Sequence, residues 1–260
     1  MTSEFTKFAC DLIKRAGKRT LTHFRQSVVV DRKDGEDFDP VTVADKQCEY
    51  FIRQEIRRKY PSHGIIGEEY DDLVQGRFSW VIDPIDGTRA FISGLLHWGV
   101  LLALCDEGQP ILGLMYQPFT DELFVGEPDG SWYSRHNKKT TLNTRNETDL
   151  PSATLMTTDP RLFREKSQSR SYQRLENSVR LTRYGGDCYQ YAVLSAGSID
   201  LVCENQLNPW DILALIPIVL NAGGSITDWR GGDPTKGGHI LASGSCELHE
   251  AALEVLDYHD

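Results

Sequence analysis

Asp83 and Asp86 stand three residues apart in the run Trp80-Val81-Ile82-Asp83-Pro84-Ile85-Asp86-Gly87-Thr88. Carboxylates bind hard cations through oxygen, and the N–H groups at a helix start bind phosphate. Gly87-Thr88 follows the second acid at a point where a helix can open, so nine residues combine the parts of a metal-plus-phosphate site. Pro84 fixes its own φ and biases Asp83 towards extended backbone. In such a turn both acids and the Ile85 carbonyl can face one cavity. Carboxylates that converge without a cation repel one another and protonate, a conflict that a cation relieves. Oxygen donors alone favour Mg²⁺, Mn²⁺ or Ca²⁺ over zinc or copper. Two such ions about 3.5–4 Å apart would clamp the attacking and leaving oxygens of a phosphate ester. The plainer alternative is a polar turn whose acids cap a helix, since Asp, Pro and Gly are common in turns. Gly67-Glu68-Glu69 upstream and Pro209-Trp210-Asp211 downstream add the acids that favour the site.

Something must deliver these acids to one place. Ile65-Ile66 and Trp80 to Ile82 read as short buried strands with the acidic motifs at their carboxyl ends. Phe5, Phe8, Ala9, Leu12, Ile13 and Ala16 recur at helical intervals and predict an amphipathic first helix. Ala44 to Tyr60 predicts a second, with Val28-Val29-Val30 as a short strand and Asp31 to Phe38 as an acidic loop between them. Gly99 to Leu104, Pro110 to Tyr116, Leu123 to Gly126 and Gly130 to Tyr133 read as strands of an antiparallel sheet. In the second half, strands are expected at Ala153 to Thr157, Val179 to Thr182, Ile199 to Val202, Ser225 to Asp228 and His239 to Ala242. Helices are expected at Tyr189 to Ala196, Ile212 to Asn221 and Glu247 to Leu256, the middle one ended by Gly223-Gly224. Asp159 to Asn177 is the least structured-looking stretch. This alternation predicts an α/β (α+β) fold. The expected architecture is a layered αβαβα sandwich, one domain over 1–260 with approximate sub-domains 1–150 and 151–260 and a cleft between them.

A chain of 260 residues is long enough to bury a substantial core. Its formal charge of −10 argues against nucleic acid, whose phosphates want Lys and Arg. No stretch approaches the roughly 18 consecutive apolar residues that span a membrane. Met1 to Lys18 lacks the apolar core of a secretory signal, so the cytoplasm is the expected location. Six dispersed cysteines without a CxxC pair are expected to be free thiols. The seven histidines show no ligand spacing, and Trp98 and Trp132 read as core or subunit-contact residues.

Taken together, Asp39-Pro40-Val41-Thr42-Val43-Ala44-Asp45, Gly67-Glu68-Glu69, Trp80 to Thr88, and Trp210-Asp211 followed by Gly223-Gly224 resemble the signature set of the inositol monophosphatase family. The resemblance runs in order over essentially the whole chain. It implies a layered phosphatase fold, Mg²⁺-dependent phosphomonoester hydrolysis with two or three ions per site, and commonly a homodimer. Carried over by position, Glu68, Asp83 and the Ile85 carbonyl resemble the first ion's ligands, and Asp83, Asp86 and Asp211 the second's. Glu68 resembles a holder of a third, weaker ion. Thr88 with Asp45 resembles the pair that orients and deprotonates the attacking water, with Glu68 alongside. Gly87 and Thr88 resemble the phosphate-holding turn.

Two departures from the inositol enzymes, Arg89-Ala90-Phe91-Ile92-Ser93-Gly94 and Arg183-Tyr184-Gly185-Gly186-Asp187-Cys188-Tyr189, look like the histidinol-phosphate phosphatase branch. Asp187 would then sit in the substrate pocket beside Glu204 and Asp211. An acidic pocket suits a small phosphate ester that carries positive charge. Asp187 also reads as a cap for the helix that starts near Cys188. Arg89 has two readings, phosphate neutralisation or a structural ion pair; Arg183 has two, phosphate contact or subunit contact. Lys33 is divided between positive charge near the cleft and a solvated role. The rival outside enzymology is a relative that binds phosphate or a partner through a decayed site.

Overall fold

The computed structural model describes residues 2–26, 40–136 and 138–258. The strand at Val28 to Val30, the loop from Asp31 to Phe38 and Lys33 lie outside the described residues. In chain order the elements are α1 (Thr2–Thr20), α2 (Pro40–Lys59), β1 (Gly64–Gly67), β2 (Phe78–Asp86), α3 (Thr88–Ile92) and β3 (Gly99–Asp106). There follow β4 (Gln109–Gln117), β5 (Glu122–Glu127), β6 (Gly130–Arg135), β7 (Lys138–Thr141), β8 (Thr154–Thr157), α4 (Lys166–Ser178) and β9 (Leu181–Tyr184). The chain closes with α5 (Asp187–Ser195), β10 (Leu201–Leu207), α6 (Pro209–Ile212), α7 (Leu215–Leu220), β11 (Ser225–Asp228), β12 (Gly238–Ser243) and α8 (Cys246–Leu256).

β1 to β7 form one sheet in sequence order, antiparallel apart from the parallel β1–β2 pair. The second sheet runs β11-β12-β10-β8-β9, with β10, β8 and β9 parallel. Side chains alternate across a strand, and β2 shows what that does here. Trp80 and Ile82 pack with Leu12, Ile13, Ile52 and Ile56 of α1 and α2, whereas Val81 faces Tyr191, Leu194, Leu215 and Ile218 of α5 and α7. β10 repeats the pattern: Val202 joins that central core, while Leu201 and Cys203 meet Tyr172, Leu175, Leu248 and Ala252 of α4 and α8. Helix pair, sheet, helix pair, sheet and helix pair follow in order, the expected αβαβα sandwich. Among the described residues all six cysteines are free, and no helix is long and apolar enough to cross a membrane.

Three local expectations need correction, and one strand went unread. Asp159 to Asn177, read as the least structured-looking stretch, contains α4, whose start is closed by a reciprocal capping box between Glu165 and Gln168. Its buried face is Gln168, Ser171, Tyr172 and Leu175, a helical spacing half made of polar residues, so hydrophobic periodicity did not reveal it. The single helix at Ile212 to Asn221 is two, α6 and α7, because Pro217 has no N–H to continue the ladder from the preceding turn. β7 is exposed throughout and has no alternation of burial to read. Finally, the acids expected in a turn after Ile82 lie within β2 itself, which runs on to Asp86.

Candidate active site

That extension of β2 is irregular, and the irregularity aims the acids. Asp83 pairs with Leu101 and Asp86 with Gly99, so three steps on one strand match two on the other. One residue is bulged out around Pro84-Ile85, where proline has no N–H to give the ladder. In a regular strand, residues three apart point to opposite faces. The bulge cancels that parity, and Asp83 and Asp86 converge.

Asp211 reaches them from the other half of the chain. It sits in the first turn of α6, where Pro209 occupies a helix-start position and Asp211 Oδ2 accepts the Asn208 N–H at 2.7 Å. One oxygen each of Asp83, Asp86 and Asp211 lies within 4.8 Å of the others. Glu68, at the exposed rim after β1, is close enough for its carboxyl to interact with that of Asp83. Asp83 Oδ1 accepts the Ile85 N–H at 3.0 Å, and the Thr88 hydroxyl donates to the Ile85 carbonyl at 3.2 Å. Asp86 Oδ2 accepts the Cys188 N–H at 2.6 Å at the start of α5.

The electrostatics of this cluster are one-sided. No lysine or arginine among the described residues pairs with Glu68, Asp83, Asp86 or Asp211. Burial first, then the charges of Asp86, Glu68, Asp211 and Asp45, hold the Asp83 carboxyl well above the usual range. Burial, then Asp211 and Asp187, do the same to Asp86 against the opposing hydrogen bond from Cys188. Desolvation, then Asp211 and Glu69, push Glu68 up to about 7. Asp211 is raised by burial despite its bonds to Asn208. Anionic oxygens gathered without a counter-charge are the donor set of a hard divalent cation, so the residues fit such an ion.

Gly87 lets the chain turn from this cluster into α3. Its φ of 84° is left-handed, and a Cβ there would lie 2.7 Å from the His97 carbonyl oxygen and 3.1 Å from Asp187 Cβ. Beyond the turn lies a cavity of about 250 Å³ lined by Asp86, Arg89, Thr158, Asp187, Glu204 and Asp211, with Tyr191, Leu207 and Leu215 among its apolar walls. Glu204 is buried; its Oε1 accepts the Thr157 hydroxyl at 2.8 Å and the Thr158 N–H at 2.6 Å. Those donors are neutral, and burial still raises its pKa. Burial likewise pushes Asp187 up to about 6, with Arg89 pulling the other way.

The sequence-derived residues therefore divide. Asp83, Asp86 and Asp211 come together with Glu68 near Asp83 but outside that set of three, and Arg89, Asp187 and Glu204 join them around the cavity. Asp45, buried on α2, is close enough for its charge to act on Asp83. Arg183 is exposed on the edge strand β9 and is not among the residues lining the cavity. The capping reading of Asp187 is corrected: α5 begins at Asp187 itself, after Gly186, and the Cys188 N–H is taken by Asp86. Thr157, Thr158 and Asn208 went unread. Only Asn208 carried a signal, as an Asn-Pro pair at a helix start.

Comparison with known proteins accords with this geometry. The model of the inositol monophosphatase family matches residues 1–259. The chain is 37% identical to the bifunctional phosphatase IMPL2, chloroplastic, of Arabidopsis thaliana, over 99% of this chain and 77% of that one. It is 36% identical to the histidinol-phosphatase of Chlorobaculum parvum, over 91% of this chain and 90% of that one. An inositol monophosphatase from Zymomonas mobilis superimposes with a TM-score of 0.89 at 37% identity, covering 99% of both chains. A match of this length, shared by sequence and by fold, means that the chain belongs to the inositol monophosphatase family of metal-dependent phosphatases.

Proposed function

We propose that this phosphatase hydrolyses a small phosphate monoester bearing positive charge, L-histidinol phosphate, to L-histidinol and phosphate. The acidity of the cavity beside the acidic cluster carries the reading: Asp187 and Glu204 line it, and Arg89 is the one basic residue among the described residues that do. Their burial makes their charge costly unless a cation answers it, and a substrate with an ammonium and an imidazole supplies one. The Chlorobaculum parvum relative, named histidinol-phosphatase, supports the same substrate. A neutral polyol phosphate is the second reading, favoured by the likeness to the Zymomonas mobilis inositol monophosphatase.

In this scheme Glu68, Asp83, the Ile85 carbonyl, Asp86 and Asp211 would hold two or three Mg²⁺ ions. Bound there, such ions would supply acidification of the attacking water and positive charge against the phosphoryl oxygens. Thr88 orients that water, and Asp45 takes its proton through the Thr88 hydroxyl. The N–H groups of Gly87 and Thr88 hold the phosphate, with Arg89 beside them. Water attacks phosphorus in line with the ester oxygen, the P–O bond breaks, and the leaving alkoxide takes a proton from water near Asp211. Asp187 and Glu204 hold the cationic end. Arg183, away from the cavity in one copy, fits the subunit contact of a homodimer in the cytoplasm.

The test is Asp187→Ser assayed on two substrates. A charge-assisted hydrogen bond to an ammonium contributes roughly 1.5–3 kcal/mol. KM for histidinol phosphate should therefore rise about 10- to 150-fold, while inositol 1-phosphate is hydrolysed no worse than by the wild type. Equal losses on both would refute the cationic substrate.

A further inference from the structure

Glu49 and Arg53 stand one turn apart on α2, and both are buried, at 0% and 4% exposure. Arg53 Nε donates to Glu49 Oε1 at 2.7 Å. The two terminal nitrogens of Arg53 donate to the carbonyls of Asp71 and Tyr70, each at 3.0 Å. Glu49 Oε2 accepts the Glu69 N–H at 2.9 Å. Three consecutive backbone groups, those of Glu69, Tyr70 and Asp71, are thereby held by one ion pair. On the other side of Glu68, a Cβ on Gly67 would lie 2.2 Å from Glu49 Oε1. Glu49 has no room to swing aside, because it is fully buried and bonded through both oxygens.

Stability alone is a poor reason for such a pair. Taking two charges out of water costs several kcal/mol per ion, and a well-packed apolar pair of similar volume often does as well or better. What an apolar pair would not do is fix the backbone on both sides of Glu68. That residue lies at the exposed rim, yet its carboxyl must reach Asp83. Ligands of metals are commonly oriented by such outer partners, whose loss costs about 10- to 100-fold in affinity.

We infer that Glu49 and Arg53 are positioning residues for the metal cluster, holding residues 67–71 so that Glu68 presents its carboxyl to Asp83, Asp86 and Asp211. The inference rests on the metal-site reading above and extends it to a pair that touches neither ion nor substrate. Mn²⁺ binding to the whole protein without substrate, followed by the electron paramagnetic resonance of the free ion, measures it directly. Arg53→Lys keeps a positive charge against Glu49 but cannot span two carbonyls. Gly67→Ala attacks the clamp from the loop side and leaves the pair's own charges in place.

Each variant should weaken the Mn²⁺ site that Glu68 serves by roughly tenfold. Glu68→Gln should weaken it at least as much, and Arg53→Lys added to Glu68→Gln should weaken it no further. Wild-type Mn²⁺ affinity in both clamp variants, with Glu68→Gln impaired, would overturn the inference whatever happens to their melting temperatures. Losses that multiply in the double variant would overturn it too, since the clamp would then act through something other than Glu68. Unchanged affinity in Glu68→Gln would instead refute Glu68 as a ligand, and the positioning role would fall with it.

Discussion

Asp83 and Asp200 are both buried aspartates on strands or their margins, and their surroundings could hardly differ more. Asp200, just before β10, receives Arg145 Nε on Oδ1 at 2.6 Å, a second Arg145 nitrogen on Oδ2, and the Thr154 N–H at 2.7 Å. Its charge is answered within the fold. Asp83 receives one backbone N–H from Ile85 and otherwise faces Glu68, Asp86, Asp211 and Asp45, all acids. Burial is the same in kind; completion is not. A fold that supplies a guanidinium at one site and, among the described residues, no base at the other leaves the second open to completion by a cation from outside.

The same substitution at both positions puts this contrast to its hardest test. Asp83→Asn should abolish phosphate release while raising the melting temperature in EDTA, because a repelled charge has gone. Asp200→Asn should destabilise the protein by about 1.5–3 kcal/mol, the worth of hydrogen bonds to a charged group, because Arg145 is itself partly exposed, with Mn²⁺ affinity unchanged. Thermal melts with and without EDTA, run beside a phosphate-release assay, decide the matter. Loss of stability in both variants would make Asp83 a scaffold residue like Asp200.

A smaller effect separates the cluster from the groups that use it. Thr88→Ala should slow turnover by about a hundredfold while leaving Mn²⁺ binding intact, if Thr88 positions the attacking water. Asp45→Asn should act similarly, and the double variant should be far less than multiplicatively worse. Clean multiplication would show that the two do not share one task.

The smallest effect is a pH dependence, and its sign follows from the raised carboxyls. A group whose folded pKa is raised contributes stability below its unfolded pKa that is lost as pH rises through the folded value. Glu68 moves from 4.5 to about 7, and Asp83, Asp86 and Asp211 move the same way. Metal-free protein should therefore melt a few degrees lower at pH 7 than at pH 5. Saturating Mg²⁺ should flatten that slope, and Asp83→Asn should reduce it. A slope that Mg²⁺ leaves untouched would place its origin elsewhere.

The clustered acids Asp83 and Asp86 were legible because their signal is local: Asp-Pro-Ile-Asp-Gly-Thr packs acids, a backbone constraint and a helix start into six residues. The amphipathic α1 and the alternating strands were legible for the same reason. Whatever depends on a distant partner was not. The bulge that turns Asp83 and Asp86 to one side exists only in the register between β2 and β3. Glu204 is oriented by Thr157 and Thr158, a link between β10 and the end of β8 that no run of sequence announces. α4 hid behind polar buried residues. The break between α6 and α7 is a different case, since Pro217 states it plainly and the apolar run around it obscured the reading.

Asp86 does two jobs: it belongs to the acidic cluster, and its carboxylate caps α5 across a separation of 102 residues. Seen in the order in which a ribosome makes the chain, this has a consequence. Asp83 and Asp86 emerge long before α5 and α6 exist, and at that stage they have neither the helix cap nor Asp211. A nascent chain therefore lacks the part of the acidic cluster that Asp211 supplies. The set of Asp83, Asp86 and Asp211 is complete only when the second sheet and its helices close over the first. A cation held by all three would favour finished molecules over partly made ones.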